Sequence, residues 1–113
     1  VLVAQEGEHV VGFTACGVSQ DEDLDRARTG EIYVIYVHPR AWRQRHGTAL
    51  ANQAIECLRE EGFEEAILWV LEGNQQAMRF YESAGFEADG ASKVKQRADG
   101  SEMPIVRFRR SIA

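Results

Sequence analysis

The sequence predicts a mixed α/β (α+β) fold, a sheet flanked by helices, on three observations. The run Glu31 to Val37 is β-branched or aromatic almost throughout, the composition of a strand. From Thr48 to Glu61, the apolar residues Leu50, Ala54, Ile55 and Leu58 recur at helical spacing, and Gly62 follows as a stop. The remaining runs complete the order ββ-β-α-β-α-ββ, which suits one sheet with helices packed against it.

Each element has a local reason. Val1 to Ala4 and Val10 to Thr14 flank Glu6-Gly7-Glu8 and read as a hairpin. Ser19 to Thr29 is polar, with Asp21, Glu22, Asp23 and Asp25 close together, and reads as a mobile, solvated loop. Ala66 to Leu71 is apolar enough for a buried strand. Asn74 is placed to cap a second helix, in which Ala77, Met78 and Tyr81 recur at three- and four-residue steps until Gly85. Phe86 to Ala88, a stretch near Val94 and Pro104 to Phe108 suggest closing strands, with Asp99-Gly100 as a hairpin turn.

Composition narrows the class of protein. The 113 residues, 44% hydrophobic and 27% charged, fit one globular domain spanning 1–113. No apolar run nears the ~20 residues that cross a bilayer, and no signal-peptide pattern opens the chain. The expected setting is therefore cytoplasmic, without a membrane partner. A net charge of -5 argues against nucleic acid as a partner, which favours a basic face. Cys16 and Cys57 read as two small buried hydrophobes in a reducing compartment, with no disulfide framework and no metal site.

Against that acidic background the stretch Val37 to Ala49 stands out. A strand ends at Pro39, three arginines follow (Arg40, Arg43 and Arg45), and Gly47 opens a helical pattern. Loop amides and a helix N-terminus, flanked by guanidinium groups, form an anion cradle, and Gly47, Thr48 and Ala49 are small where backbone meets phosphate. A solvated arginine-rich loop is the plain alternative. Asn74 and Tyr81, seven residues apart, share one helix face and offer an amide and a phenol to a linear polar ligand. A helix cap plus a half-buried aromatic would account for the same pair. Glu31, at the edge of the strand feeding the basic loop, is placed to serve as a general base, or is a charge at a strand end.

Together these residues resemble the GCN5-related N-acetyltransferase (GNAT) superfamily. Its pyrophosphate motif falls on Trp42-Arg43-Gln44-Arg45-His46-Gly47, after the strand end Val37-His38-Pro39. Its second signature is matched at Asn74, Ala77, Phe80, Tyr81, Gly85 and Phe86. Two positions depart: Trp42 takes the usual arginine or glutamine place, and Arg45 the first glycine. The resemblance implies a GNAT-like, mostly antiparallel sheet without the family's N-terminal strand and helices, and hence an N-terminally incomplete domain. It implies acetyl-CoA as co-substrate, no metal, and transfer of acetyl to a primary amine of a small molecule or protein. Acetyl-CoA would lie between the strands 31–37 and 66–71. Ile35, Tyr36 and Val37 would bind the pantetheine through their backbone, and Arg43, Gln44, Arg45, His46, Gly47 and Thr48 would hold the pyrophosphate. Asn74 would bond the cofactor arm and Tyr81 would protonate the leaving thiolate. Some members place a glutamate base five residues before the asparagine. That position is Trp69 here, so Glu31 is the candidate base. A non-catalytic acyl-CoA-binding or regulatory domain is the alternative reading, and a homodimer or a partner chain completing the sheet is left open.

Overall fold

A computed structural model of the chain describes residues 2–6, 8–41 and 46–113. Six strands, mostly antiparallel, and two α-helices give the expected mixed fold: β1 (Leu2–Glu6), β2 (His9–Val18), β3 (Thr29–Val37), α1 (His46–Glu60), β4 (Glu65–Leu71), α2 (Gln75–Ser83), β5 (Glu87–Gln96) and β6 (Glu102–Ser111). The chain forms two compact units, Val1–Ala66 with Ser111–Ala113, and Ile67–Arg110.

In the first unit β1, β2 and β3 pair antiparallel in that order. Helix α1 covers one face of them with Leu50, Ala51, Ala54, Ile55 and Leu58, the buried row that the helical spacing predicts. Two strand glycines let the helix approach. A Cβ on Gly12 would lie 2.6 Å from the Tyr36 carbonyl and 3.3 Å from Leu50, and one on Gly30 would lie 2.7 Å from Leu58. The opposite face carries a row across the three strands, Val3 beside Phe13 beside Tyr36, with the two rings 5.7 Å apart.

Helix α1 ends in a Schellman motif. Gly62, at φ +93°, donates to the Arg59 carbonyl at 3.0 Å, and Phe63 donates to the Leu58 carbonyl at 3.1 Å. Leu58 and Phe63, the apolar pair of that motif, both stand over Gly30. The turn hands the chain to β4 through Glu64, whose amide bonds the Arg28 carbonyl while its carboxylate pairs with the Arg28 side chain.

The 19–29 segment is less solvated than expected, because Ser19 and Asp21 are buried. Two of its polar side chains bond the local backbone. Ser19 Oγ accepts from the Asp21 amide, Asp25 Oδ1 accepts from Ala27, and the Ser19 amide bonds the Thr29 carbonyl at 3.1 Å. The cysteines also differ from expectation, both being half-buried.

In the second unit the strand order is β4-β6-β5. β5 is one ten-residue strand where the sequence suggested separate pieces. Asp89-Gly90-Ala91 bulges out of it, with Gly90 at φ +89° and Asp89 Oδ1 accepting from the Ala91 amide at 3.0 Å. Beyond the bulge Ser92–Gln96 is exposed, so no burial pattern marked it as strand. The bulge, Lys93 and Lys95 together make this edge a poor template for further pairing. Asp89 also holds Arg107, which is only 5% exposed, through a 2.6 Å Nε–Oδ2 pair. The hairpin at Asp99-Gly100 is present as expected. Asp99 accepts from the Ser101 amide and hydroxyl, bonds that hold its carboxyl below the usual range.

Gly12→Ala should lower unfolding stability by about 1–3 kcal/mol, since the new methyl meets a backbone carbonyl that cannot retreat without moving β3. Urea unfolding measures this, and an unchanged midpoint at unchanged slope would contradict the packing described.

Candidate functional site

The candidate residues fall into two groups, one in each unit. In the first, β3 carries a bulge. Ala15 pairs with Val34 but the next residue of β2, Cys16, pairs with Ile32, so Tyr33 is the extra residue. As a result Tyr33 and Val34 are both exposed, while Ile32 is buried. Buried Thr14 supports the irregularity, its hydroxyl donating to the Val34 carbonyl at 2.8 Å.

Beyond the bulge Ile35, Tyr36 and Val37 regain regular pairing with Thr14, Phe13 and Gly12. The His38 amide then bonds the Val11 carbonyl, and Pro39–Ala41 forms a 3₁₀ turn closed by the Ala41 amide on the His38 carbonyl at 2.8 Å. Trp42, Arg43, Gln44 and Arg45 lie outside the described residues. Helix α1 begins at His46, one residue before the glycine expected to open it. Its first turn contains Gly47 and Thr48 and no acidic residue, so nothing there opposes an anion at the helix's positive end. Gly47 is helical and takes no positive φ, so its value at this position is the absent Cβ.

Glu31 is half-buried on β3, paired with Gly17. Tyr33, two residues on, shares its face and crosses Gly17, where a Cβ would lie 3.0 Å from the phenol oxygen. The Tyr33 hydroxyl donates to the Val18 carbonyl. Burial, and then the Glu31 charge, push the Tyr33 phenol above its ordinary value. Sequence reading missed Tyr33 and Thr14. The spacing of Glu31 and Tyr33 was a usable signal, whereas Thr14 depends on the register.

In the second unit the loop after β4 turns through Gly73, at φ +89°, into the cap of α2. Asn74 is that cap: its Oδ1 accepts from the Ala77 amide at 3.2 Å, and its backbone carbonyl from Met78 at 3.0 Å. The cap engages the amide oxygen, so Nδ2 is the atom suited to donate to a ligand. Seven residues later, Tyr81 is fixed by the end of the same helix. Gly85, at φ +92°, donates to the Glu82 carbonyl at 3.0 Å, and Phe86 donates to the Tyr81 carbonyl at 3.0 Å. This is a second Schellman motif, with Tyr81 and Phe86 as its apolar pair. Their rings meet edge-on at 6.2 Å, and Phe80 lies 5.3 Å away on another side of Tyr81. Burial pushes the Tyr81 phenol above its ordinary value, so it keeps its proton at neutral pH.

Trp69 occupies the position of the alternative base. Lys93 Nζ lies 4.2 Å from its ring centre and Arg107 Cζ 5.7 Å. An indole has no acceptor for a proton, so this position supplies no base. Among the described residues no group of His, Cys, Asp and Glu side chains is arranged to hold a metal ion.

The described residues form a six-stranded, mostly antiparallel sheet with two α-helices, the class of fold that the sequence signatures imply. The family follows from direct comparison. The profile of the Acetyltransferase (GNAT) family matches residues 1–86, and the chain belongs to that family. It is 40% identical over 85 residues to a mycothiol acetyltransferase of Sanguibacter keddieii, a match covering 75% of this chain and 27% of the relative. Its fold is similar to the ribosomal-protein-alanine N-acetyltransferase of Brucella melitensis, with a TM-score of 0.81 at 25% identity, covering 96% of this chain and 66% of the other. It also matches yncA of Salmonella typhimurium, solved with its cofactor acetyl-CoA, at a TM-score of 0.80 and 20% identity over 98% and 63% of the two chains. That likeness is one of fold. The chain thus spans about a quarter of the length of the mycothiol acetyltransferase it matches.

Asn74→Ala should destabilise the chain by about 1 kcal/mol, whereas Asn74→Ser should retain most of the stability by restoring an oxygen at the cap. Thermal unfolding of both variants checks this, and equal loss in the two would show that the side-chain oxygen at the cap is not what stabilises the helix.

Proposed function

We propose that this chain carries acetyl transfer from acetyl-CoA to a primary amine of a small molecule or protein, as a single GNAT domain working in the cytoplasm. The observation that supports this most is Tyr81, a phenol packed against Phe80 and Phe86 and oriented by the helix stop beneath it. The residues suit the co-substrate. His46, Gly47 and Thr48 offer amides and an acid-free first turn to a pyrophosphate, with Arg43, Gln44 and Arg45 assigned to it from the sequence motif. The backbone of Ile35, Tyr36 and Val37 is the part of β3 assigned to the pantetheine arm, and Asn74 Nδ2 is a donor for the same arm.

Acetyl-CoA, when bound, supplies an acyl thioester whose carbon–sulfur bond breaks as the amine nitrogen bonds the acyl carbon. Tyr81 donates its phenolic proton to the departing thiolate sulfur. Glu31, directly or through water, takes the proton that the amine nitrogen sheds. The phenol serves as an acid only while protonated, so a raised value extends its working range upward in pH.

Trp69, in place of a carboxylate, supports a second reading, a non-catalytic acyl-CoA-binding domain. Tyr81→Phe separates the two, because it removes the acid and keeps the ring packing against Phe80 and Phe86. Turnover with an amine panel should fall about 10²-fold or more, with acetyl-CoA affinity by calorimetry unchanged. Wild-type turnover in the variant would remove Tyr81 from the chemistry. Tight binding with no turnover in the wild type would favour the binding domain.

A further inference from the structure

The two cysteines lie forty-one residues apart in the chain and meet in the first unit. Cys16 is on β2, paired with Ile32, which is buried under α1. Cys57 is on α1, three residues after Ala54 and seven after Leu50, and so lies on the helix face turned to the sheet. The contacts on either side fix the alignment. Leu50 stands over Gly12, four residues before Cys16, and Leu58 stands over Gly30, the partner of Val18. Helix and strand thus run alongside one another, with Cys57 beside Cys16 and near enough to act on its thiol. Both cysteines are unbridged and half-buried.

We propose that Cys16 and Cys57 form an oxidisable dithiol pair, which a hydroperoxide converts to a disulfide locking α1 onto β2. In the first step one thiol sulfur attacks a peroxide oxygen, breaking the O–O bond and giving a sulfenic acid and, from hydrogen peroxide, water. The second thiol sulfur then displaces the hydroxyl, forming the S–S bond and a second water. Two thiols are oxidised by two electrons and one peroxide is reduced. Burial and the neighbouring Cys57 push the Cys16 thiol up, with Glu61 adding to the effect, which disfavours Cys16 as the first attacker on the peroxide. The two sulfurs must approach to the ~2.05 Å of a disulfide for the bond to form. The bond would close a loop holding all of β3 and the arginine-rich stretch of sequence after it, and would restrict the unfolded chain.

The test is hydrogen peroxide treatment of the native chain, followed by thiol titration, intact mass, peptide mapping and thermal unfolding. Both thiols should disappear together, with loss of two hydrogens and a peptide joining Cys16 to Cys57. The unfolding midpoint should rise by roughly 10 °C and return with dithiothreitol. Cys57→Ser should show neither the cross-link nor the rise. Mass gain by added oxygen, a disulfide between molecules, or a midpoint that falls on oxidation would each overturn the proposal.

Discussion

Both α-helices among the described residues stop in the same way, and the placement of Tyr81 depends on that stop. Leu58 to Phe63 and Tyr81 to Phe86 each run from an apolar residue through three polar or small ones to a glycine and a phenylalanine. In each, the glycine takes a positive φ near +92°, where an L side chain would be strained, and the two amides that follow the helix bond back into its last turn. The apolar pair then closes over the turn. In α1 the pair is Leu58 with Phe63, and its work is to pack on Gly30. In α2 the pair is Tyr81 with Phe86, and the buried Phe86 fixes the phenol proposed as the acid. One backbone device thus serves packing in one unit and positions a candidate acid in the other.

The second constraint is the register of β3. Its extra residue turns Tyr33 and Val34 to the same face as Glu31, leaving the other face to α1. Buried Thr14 binds the Val34 carbonyl at the point where regular pairing is interrupted. Beyond it, Gly12 keeps the Tyr36 carbonyl and the helix close together. The segment Ile35–Val37, assigned to the pantetheine arm, is therefore held by a hydroxyl at one end and a missing side chain at the other.

Much of this was legible in the sequence because it is local. Asn74 as a cap, Gly62 and Gly85 as stops and the apolar row of α1 each follow from residues within two turns of one another. What was not legible depends on partners distant in sequence. The β3 bulge exists only in register with β2, and the meeting of Cys16 with Cys57 needs α1 laid along that strand. β5 was read in pieces because an edge strand with an exposed polar half shows no alternation. The acidic 19–29 segment was read as solvated because charge alone does not reveal that Ser19 and Asp25 bond the backbone. At the candidate site, the seven-residue spacing of Asn74 and Tyr81 is visible in the sequence, whereas the place of Tyr33 depends on the register of β3 with β2.

The central claim is that Tyr81, kept protonated by burial beside Phe80 and Phe86, is the acid of the reaction. The pH dependence of kcat for the wild-type chain, with acetyl-CoA and an accepted amine both saturating, tests it most directly. The phenol's proton is present below its raised value and lost only as pH rises through it. The account therefore predicts a rate that rises as the amine loses its proton and then holds, with no decline until beyond about pH 10. A descending limb between about pH 7 and 9 would contradict it, assigning the acid to some other group.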